Sequence, residues 1–405
     1  MNPPGADTVL VRFSGEVGVK SRSVQHRMER QLRQNLKQML ARHDLDVSIE
    51  AEHARLYVHT TPEEVDAVAE VTARVFGVTS VSSVREIDPT LDAIRDLLAE
   101  TAREHYESGT FAVRARRAGN EEDHPFSSTD IEREGGAAVF EAAQASDIEP
   151  EVDLDDPDLT FRVECRPERA FVYVGIQSGA GGLPLGTQQP VVALMSGGID
   201  SPVAAWHLMK RGCPVVPVYV NLGRFGGVDH RARAEEITQQ LTTYTPDGFT
   251  MWVVPGGDGL EQIAEETERY QMLLTRRYML RIAELIAEQT GAVGIVTGES
   301  IGQKSSQTSA AIRVTDAVTD CPVHRPLLTL DKHEITDRAR EIGTYEESTI
   351  DAGCNRLAPE NPATRPPLAT VRETEPTNIK RLAASAVEQA EQCNLEAPGD
   401  NQLLQ

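Results

Sequence analysis

Lysine is scarce in this chain of 405 residues: only six of its 40 basic residues are lysine, at 20, 37, 210, 304, 332 and 380. Positive charge is itself in deficit, since 63 acidic residues leave a formal net charge of −23. A carboxylate-rich surface stays hydrated where salt screens its self-repulsion, so the composition points to a salt-adapted, halophilic protein. It speaks against nucleic-acid binding driven by overall charge, because phosphates need Lys or Arg; only local basic clusters can supply that. Cysteine is sparse too, with five residues (165, 213, 321, 354 and 393) widely spaced and no CxxC pair. That argues against a disulfide framework and against a structural zinc site, and no protein-bound metal is expected. Long apolar runs are missing: nothing approaches the ~20 residues of a membrane span, and the N-terminus lacks a basic-then-apolar leader. A cytoplasmic protein of two or three domains with ample core is expected.

What the chain does contain is Val191-Val192-Ala193-Leu194-Met195 running into Ser196-Gly197-Gly198-Ile199-Asp200-Ser201, with a helix start at Pro202. The pattern is a buried strand, a tight glycine turn and a helix N-terminus. Such a turn aims backbone N–H groups and the helix dipole at an anion, and glycines let a phosphate approach the backbone. No Gly-Lys-Ser/Thr follows, so this is not a Walker A loop. The stretch resembles the PP-loop of ATP pyrophosphatases, which split ATP into AMP and pyrophosphate while adenylating a substrate oxygen.

From Pro190 onward apolar strands alternate with helices. Strands are expected at 191–195, 215–221, 250–254 and 294–297, and helices at 201–210, 231–244 and 260–289. The alternation predicts a doubly wound parallel sheet with the glycine turn at a strand's C-terminal end, where ligands sit. Upstream, residues 1–61 and 62–177 read as two smaller βα sandwiches, the second opened by a helix over 63–75. Residues 178–189 form a glycine-rich linker. The catalytic unit is expected over 190–366, with a tail (367–405) of one amphipathic helix at 377–392 and a polar end.

Further motifs follow the glycine turn in order: Arg276-Arg277-Tyr278-Met279-Leu280-Arg281, Thr297-Gly298-Glu299-Ser300-Ile301-Gly302-Gln303 with Ser306-Gln307-Thr308, Arg325-Pro326-Leu327-Leu328 with Asp331-Lys332-His333-Glu334-Ile335, Gly343-Thr344-Tyr345-Glu346, and Cys354. Each is weak alone, but their order and spacing resemble the tRNA sulfurtransferases of the ThiI family, which make 4-thiouridine in tRNA. The likeness runs from Val9 to about Pro366. Arg12-Phe13-Ser14-Gly15-Glu16, with Lys20 and Arg22, is similar to the signature of that family's N-terminal ferredoxin-like domain. Phe111–Arg117 with Ser127–Gly136 resembles the THUMP domain, an RNA-binding module.

The resemblance implies a ferredoxin-like domain, a THUMP domain and a PP-loop domain of the adenine nucleotide alpha hydrolase type. It implies adenylation of O4 of uridine 8 in tRNA and replacement of that oxygen by sulfur, with release of pyrophosphate and AMP. Leu194, Met195, Ser196, Gly197, Gly198, Ser201, Tyr219, Val220, Arg276, Gly298 and Gln307 match ATP-site positions. Asp200 would face Mg²⁺ carried by ATP, because that ion takes hard carboxylate ligands; Lys332 would place a point charge on the phosphates or adenylate. Cys354 matches the catalytic-domain cysteine, which attacks, resolves or carries a persulfide. Cys321 and Cys393 are candidate partner thiols, and an iron–sulfur cluster on the three is a further option. Arg12, Lys20, Arg22, Arg114, Arg116 and Arg117, with Arg27 and Arg30 nearby, would meet RNA phosphates. A sulfur donor (a cysteine desulfurase, a sulfur-carrier protein or free sulfide) and a homodimer are implied as partners. Some members append a rhodanese domain that this chain is expected to lack. Two other readings are a different PP-loop thiolase, such as a 2-thiouridine synthase, and a non-catalytic RNA-binding protein.

Overall fold

The computed structural model describes residues 1–18, 21–52, 55–227, 229–304, 306–348 and 363–396. It divides into two compact units, Met1–Gly182 and Leu183–Gln405.

The first unit contains strands β1 (Thr8–Phe13), β2 (Ser48–Glu52), β3 (Arg55–His59), β4 (Val78–Ile87), β5 (Thr110–Arg117), β6 (Glu151–Val152), β7 (Leu159–Cys165), β8 (Ala170–Tyr173) and β9 (Gln177–Ser178). They form a sheet in the order β2-β3-β1-β4-β8-β7-β5-β6, with β9 also on β4. Its helices are α1 (Gly15–Gly18), α2 (Arg22–Arg42), α3 (Val65–Ala73), α4 (Leu91–His105) and α5 (Ser128–Ala145). β4 is long enough to serve two neighbourhoods: Val78–Val84 pairs with β1, and Arg85–Ile87 pairs with β8. Two cores follow from that division. Val9, Val11, Leu32, Leu36, Val58, Val68 and Val81 make one; Ile94, Leu98, Phe111, Ile131, Val139, Phe161 and Val172 make the other. The boundary expected at residue 62 falls inside the first core, because Val65, Val68, Ala69 and Val71 of α3 pack there. On a third patch Tyr57 of β3 stacks on Phe171 of β8 with ring centroids 5.0 Å apart.

The glycine-rich segment around 178–182 is not a free tether. Ala180 N–H donates to Ala73 O at 2.8 Å, and Gly181 O accepts from Gly77 N–H at 2.8 Å. A Cβ on Gly179 would meet Val78 O at 2.3 Å, so glycine is required for that backbone approach.

The second unit is the expected doubly wound sheet, order β14-β13-β10-β11-β12-β15. Its strands are β10 (Val191–Met195), β11 (Val215–Asn221), β12 (Phe249–Pro255), β13 (Ile295–Val296), β14 (Val323–His324) and β15 (Glu391–Leu395). β10 through β14 are parallel, and β10 and β11 are near-continuous apolar runs because helices cover both faces. The helices are α6 (Asp200–Lys210), α7 (His230–Gln240), α8 (Gly257–Glu266), α9 (Gln271–Thr290), α10 (Ser309–Asp316), α11 (Lys332–Glu341), α12 (Tyr345–Ser348), α13 (Leu368–Thr374) and α14 (Ile379–Glu388).

Two expectations are corrected. The single helix over 260–289 is two, α8 and α9, because Thr267 is extended, and the Gln271 side chain donates to Thr267 O at 2.6 Å. The tail helix ends at Glu388, and residues 391–395 add to β12 as an antiparallel edge strand. Among the described residues no helix is long and apolar enough to cross a membrane.

Candidate active site

The loop from Ser196 to Ser201 leaves the C-terminal end of β10 and turns into α6. It holds its own shape. Ser196 N–H donates to Ser201 Oγ at 3.0 Å, Ser201 Oγ donates to Ser196 O at 3.2 Å, and Gly198 N–H lies 3.4 Å from Ser196 Oγ. Asp200 opens α6, and Pro202 sits in its first turn, where backbone N–H groups have no intrahelical partner. Those N–H groups and the helix dipole remain available to an anion.

The elements around the loop come close. A Cβ on Gly298, just beyond β13, would stand 2.7 Å from the carbonyl carbon of Asp200 and 2.8 Å from Ser201 N. A Cβ on Gly197 would meet Arg233 Cβ at 3.3 Å, so Arg233 of α7 lies over the glycine turn. Lys332 is the first residue of α11, whose start is set by Asp331 N–H donating to Glu334 Oε2 at 2.8 Å. From there Lys332 Nζ donates to Asp200 Oδ1 at 2.7 Å. α11 is steadied against α6 by Arg338, whose guanidinium lies 4.8 Å from the Trp206 ring centroid.

Leu194 and Met195 sit at the end of β10, and Met195 pairs in register with Tyr219 at the end of β11, beside Val220. Arg276 of α9 donates to Ser306 O at 2.7 Å and lies 3.2 Å from Glu299 Oε1. Burial first, with the like charge of Arg325, pulls the Arg276 guanidinium below its ordinary range against the opposing charge of Glu299. Gln307 is 6% exposed, and its Oε1 has no hydrogen-bond partner among the described residues. A buried acceptor of that kind is open to the N–H of a ligand or to a water. The structure thus brings Asp200, Ser201, Gly298 and Lys332 to the loop of Ser196, Gly197 and Gly198, with Arg276 and Gln307 beside Ser306. Cys354 lies outside the described residues. Cys321 and Cys393 do not meet: the first precedes β14 and the second is on β15, at opposite edges of a six-stranded sheet. At ~4.8 Å per spacing, five spacings are roughly 24 Å, which rules out a cluster on those thiols.

In the first unit, Arg114 and Arg116 are exposed on one face of β5, while Arg117 points to the other face. Arg12 lies 5.0 Å from the Tyr173 ring and donates to Ser82 Oγ at 3.1 Å. Arg22 is exposed at the start of α2, and Lys20 lies outside the described residues. Arg116 also lines a cleft of 510 Å³ with Arg55, Arg166 and Arg169 and the carboxylates Glu52 and Glu164. Sequence reasoning missed those three arginines, and also Arg233, Glu299 and Arg325. Each is brought in by long-range packing; only the Gly-Glu-Ser and Arg-Pro-Leu motifs hinted at the last two.

A glycine loop at the C-terminal edge of a parallel sheet, ringed by a carboxylate and cations, defines the second unit as an α/β nucleotide-binding domain of the PP-loop class. Models of known families match all three parts: the ThiI ferredoxin-like domain over 8–82, the THUMP domain over 89–175, and the ThiI thiamine biosynthesis protein over 186–379. A probable tRNA sulfurtransferase of Halobacterium salinarum is 53% identical over 93% of this chain and 94% of the relative. That of Methanosarcina mazei is 38% identical over 95% and 94%. A solved 4-thiouridine synthetase in complex with RNA and bound ATP superposes with a TM-score of 0.84 at 29% identity, covering 96% of this chain and all of that one. The chain belongs to the ThiI family of tRNA sulfurtransferases.

Proposed function

We propose that the protein is an ATP-dependent tRNA sulfurtransferase that converts uridine 8 to 4-thiouridine. The observation that carries this reading is the self-bonded Ser196–Ser201 loop with Gly298 packed on its backbone and Lys332 reaching Asp200. The relatives' names and the ATP-bound structural neighbour support it.

The residues present fit a triphosphate. Gly197 and Gly198 leave the loop bare, and the orphaned Gln307 Oε1 would accept from the adenine amino group. Leu194, Met195, Tyr219 and Val220 would flank the base. The pyrophosphate would rest on the N–H groups of Gly197, Gly198 and Ser201, with Arg276 supplying further charge. Mg²⁺ arrives with ATP as part of the substrate; Asp200 is the carboxylate placed to face it. In the structure that carboxylate is held by Lys332, so loading ATP would exchange partners: Asp200 would face the Mg²⁺ and Lys332 a phosphate oxygen.

Uracil O4 is a poor leaving group. Its attack on the α-phosphorus forms an O–P bond, and pyrophosphate departs. A sulfur nucleophile then bonds to C4, and the C4–O4 bond breaks as AMP leaves with that oxygen. The protein's share is alignment and charge neutralisation. The target base must leave its stack, at a cost of a few kcal/mol. Cys354 is the residue we assign to sulfur handling. Arg12, Arg22, Arg114, Arg116 and Arg117 would hold RNA phosphates, and Lys20 extends that set. A sulfur donor and a second copy of the chain complete the assembly, which works in the cytoplasm.

The test is nucleoside mass spectrometry of tRNA from cells holding the native protein, Asp200→Ala or no protein. Loss of 4-thiouridine in the last two is expected. Persistence of 4-thiouridine in the Asp200→Ala cells would remove the catalytic assignment, and loss of a different nucleoside would change the substrate.

A further inference from the structure

Glu299 is buried immediately after Gly298, and its carboxylate joins parts of the fold that are distant in sequence. Oε2 accepts from Arg325 Nε at 2.7 Å and from Thr297 Oγ1 at 3.1 Å, while Oε1 lies 3.2 Å from Arg276 Nη1. Arg276 comes from α9. Arg325 comes from the segment between β14 and α11 and runs on to Asp316, at 3.1 and 2.6 Å from its two terminal nitrogens. The same turn is stitched to that segment twice more. Ile301 N–H donates to Leu328 O at 3.1 Å, and Ser300 Oγ donates to Leu330 O at 3.2 Å. Two residues beyond Leu330 is Lys332, on Asp200.

We propose that Glu299 is a positioning residue for the ATP reaction: one carboxylate sets Arg276 directly and Lys332 through Arg325 and residues 325–330. The inference rests on the function proposed above. Two guanidinium groups share this carboxylate in a poorly hydrated place, so neutralising it leaves two like charges facing each other with no common counter-ion. Arg276 would keep only its bond to Ser306 O. The 325–330 segment would keep its two backbone ties but lose the charged anchor that sets its distance from Gly298.

The test uses the full chain and two readouts that need no sulfur donor. One is binding of a non-cleavable α,β-methylene ATP; the other is pyrophosphate release on adding an unmodified tRNA transcript at saturating ATP. Glu299→Gln is expected to weaken analogue binding about tenfold and slow pyrophosphate release about 100-fold, the range for lost support or ~1 Å misplacement around a site. Affinity for tRNA should stay near that of the native protein, while the thermal midpoint falls because two buried guanidinium groups lose their shared counter-charge. Glu299→Asp, which keeps the charge, should recover at least about tenfold of the rate. In an Arg276→Ala background, Glu299→Gln should weaken analogue binding by less than about threefold more, since part of its action runs through Arg276. Native binding and rate in Glu299→Gln overturn the proposal, as does full additivity with Arg276→Ala. Should Glu299→Gln fail to fold, Asp316→Asn decides: a rate lowered about threefold with unchanged analogue binding supports the coupling, and a native rate refutes it. A native protein that binds no analogue refutes the proposed function instead.

Discussion

At Gly298 a methyl group would sit 2.7 Å from the carbonyl carbon of Asp200, a backbone atom with nowhere to go. Gly298→Ala should therefore displace the Asp200–Ser201 peptide, from which the loop's anion-binding N–H groups hang. A loss of ATP-analogue affinity of about 100-fold is expected from calorimetric titration. Stability should also fall, by about 1–3 kcal/mol, because relieving so short a contact must move packed backbone. His207 gives a second residue-scale outcome. Burial first, then the charges of Arg338 and Lys210, push its imidazole down from 6.5 to about 4. Between those pH values the unfolded chain takes up a proton that the folded chain refuses. Stability therefore falls as pH drops from 6.5 to about 4 and levels off below. Replacing His207 with Gln should remove a slope worth on the order of 1–3 kcal/mol, read from urea midpoints at pH 7 and 4.5.

Among the elements, the tail shows how distant parts of the chain build the second unit. Glu375, just past α13, accepts from Arg277 Nε and Nη2 at 2.9 and 3.0 Å and from Arg281 Nη2 at 2.9 Å. Arg277 is 1% exposed and also donates to Val314 O at 2.6 Å. Burial alone would raise the Glu375 carboxyl, but the hydrogen bonds and charge of Arg277 and Arg281 outweigh it and hold it low. Its contribution is present above the ordinary carboxylate range and is lost as pH falls through the lowered value. Glu375→Ala strands a buried guanidinium and should cost about 3–5 kcal/mol. For a unit of this size that lowers the melting temperature by roughly 10 °C, measurable by calorimetry. Pairing Glu375→Leu with Arg277→Met should restore most of it, since an apolar pair of similar volume needs no desolvation.

The same elements mark where sequence was readable. Val191–Met195 and Val215–Asn221 were legible to the residue, because buried parallel strands are unbroken apolar runs ended by turns. The edge strand Glu391–Leu395 was not: its alternation is weak, and it is a strand only because Phe249–Pro255 offers an open edge. The break at Thr267 depends on one side-chain bond from Gln271. Around the site, the Ser196–Ser201 loop announced itself through glycine spacing. The meeting of Asp200 with Lys332, 132 residues later, has no periodic signature; the resemblance singled out each residue separately, and only the structure shows their contact. Nothing in the sequence set Arg233 apart, and Glu299 entered only within a Gly-Glu-Ser motif that is weak alone.

At the scale of the whole molecule, charge sets two opposed salt responses. A net −23 leaves an excess of carboxylates that repel one another in the folded state. Screening shortens the Debye length from ~10 Å at 0.1 M salt to ~3 Å at 1 M, which should relieve most of that repulsion. The melting temperature is expected to rise by more than about 10 °C between 0.1 and 2 M KCl. A plateau near 1 M marks screening as the cause; a rise that continues marks salt exclusion from the surface. RNA binding moves the other way, because each phosphate contact releases a counter-ion that high salt makes costly to release. Here the structure limits the damage. Of the described arginines first expected to meet RNA, Arg22, Arg27, Arg30, Arg114 and Arg116 are exposed, while Arg12 and Arg117 are partly buried. Arg116 also lines the cleft that Glu52 and Glu164 enter. Five exposed arginines correspond to a slope of about −3.5 in log K against log salt, at ~0.7 per phosphate contact. Fluorescence anisotropy of a labelled tRNA over 0.2–2 M KCl measures it directly. A slope steeper than about −5 would mean that many more cations reach the backbone than this surface presents, and would move the RNA face away from β5.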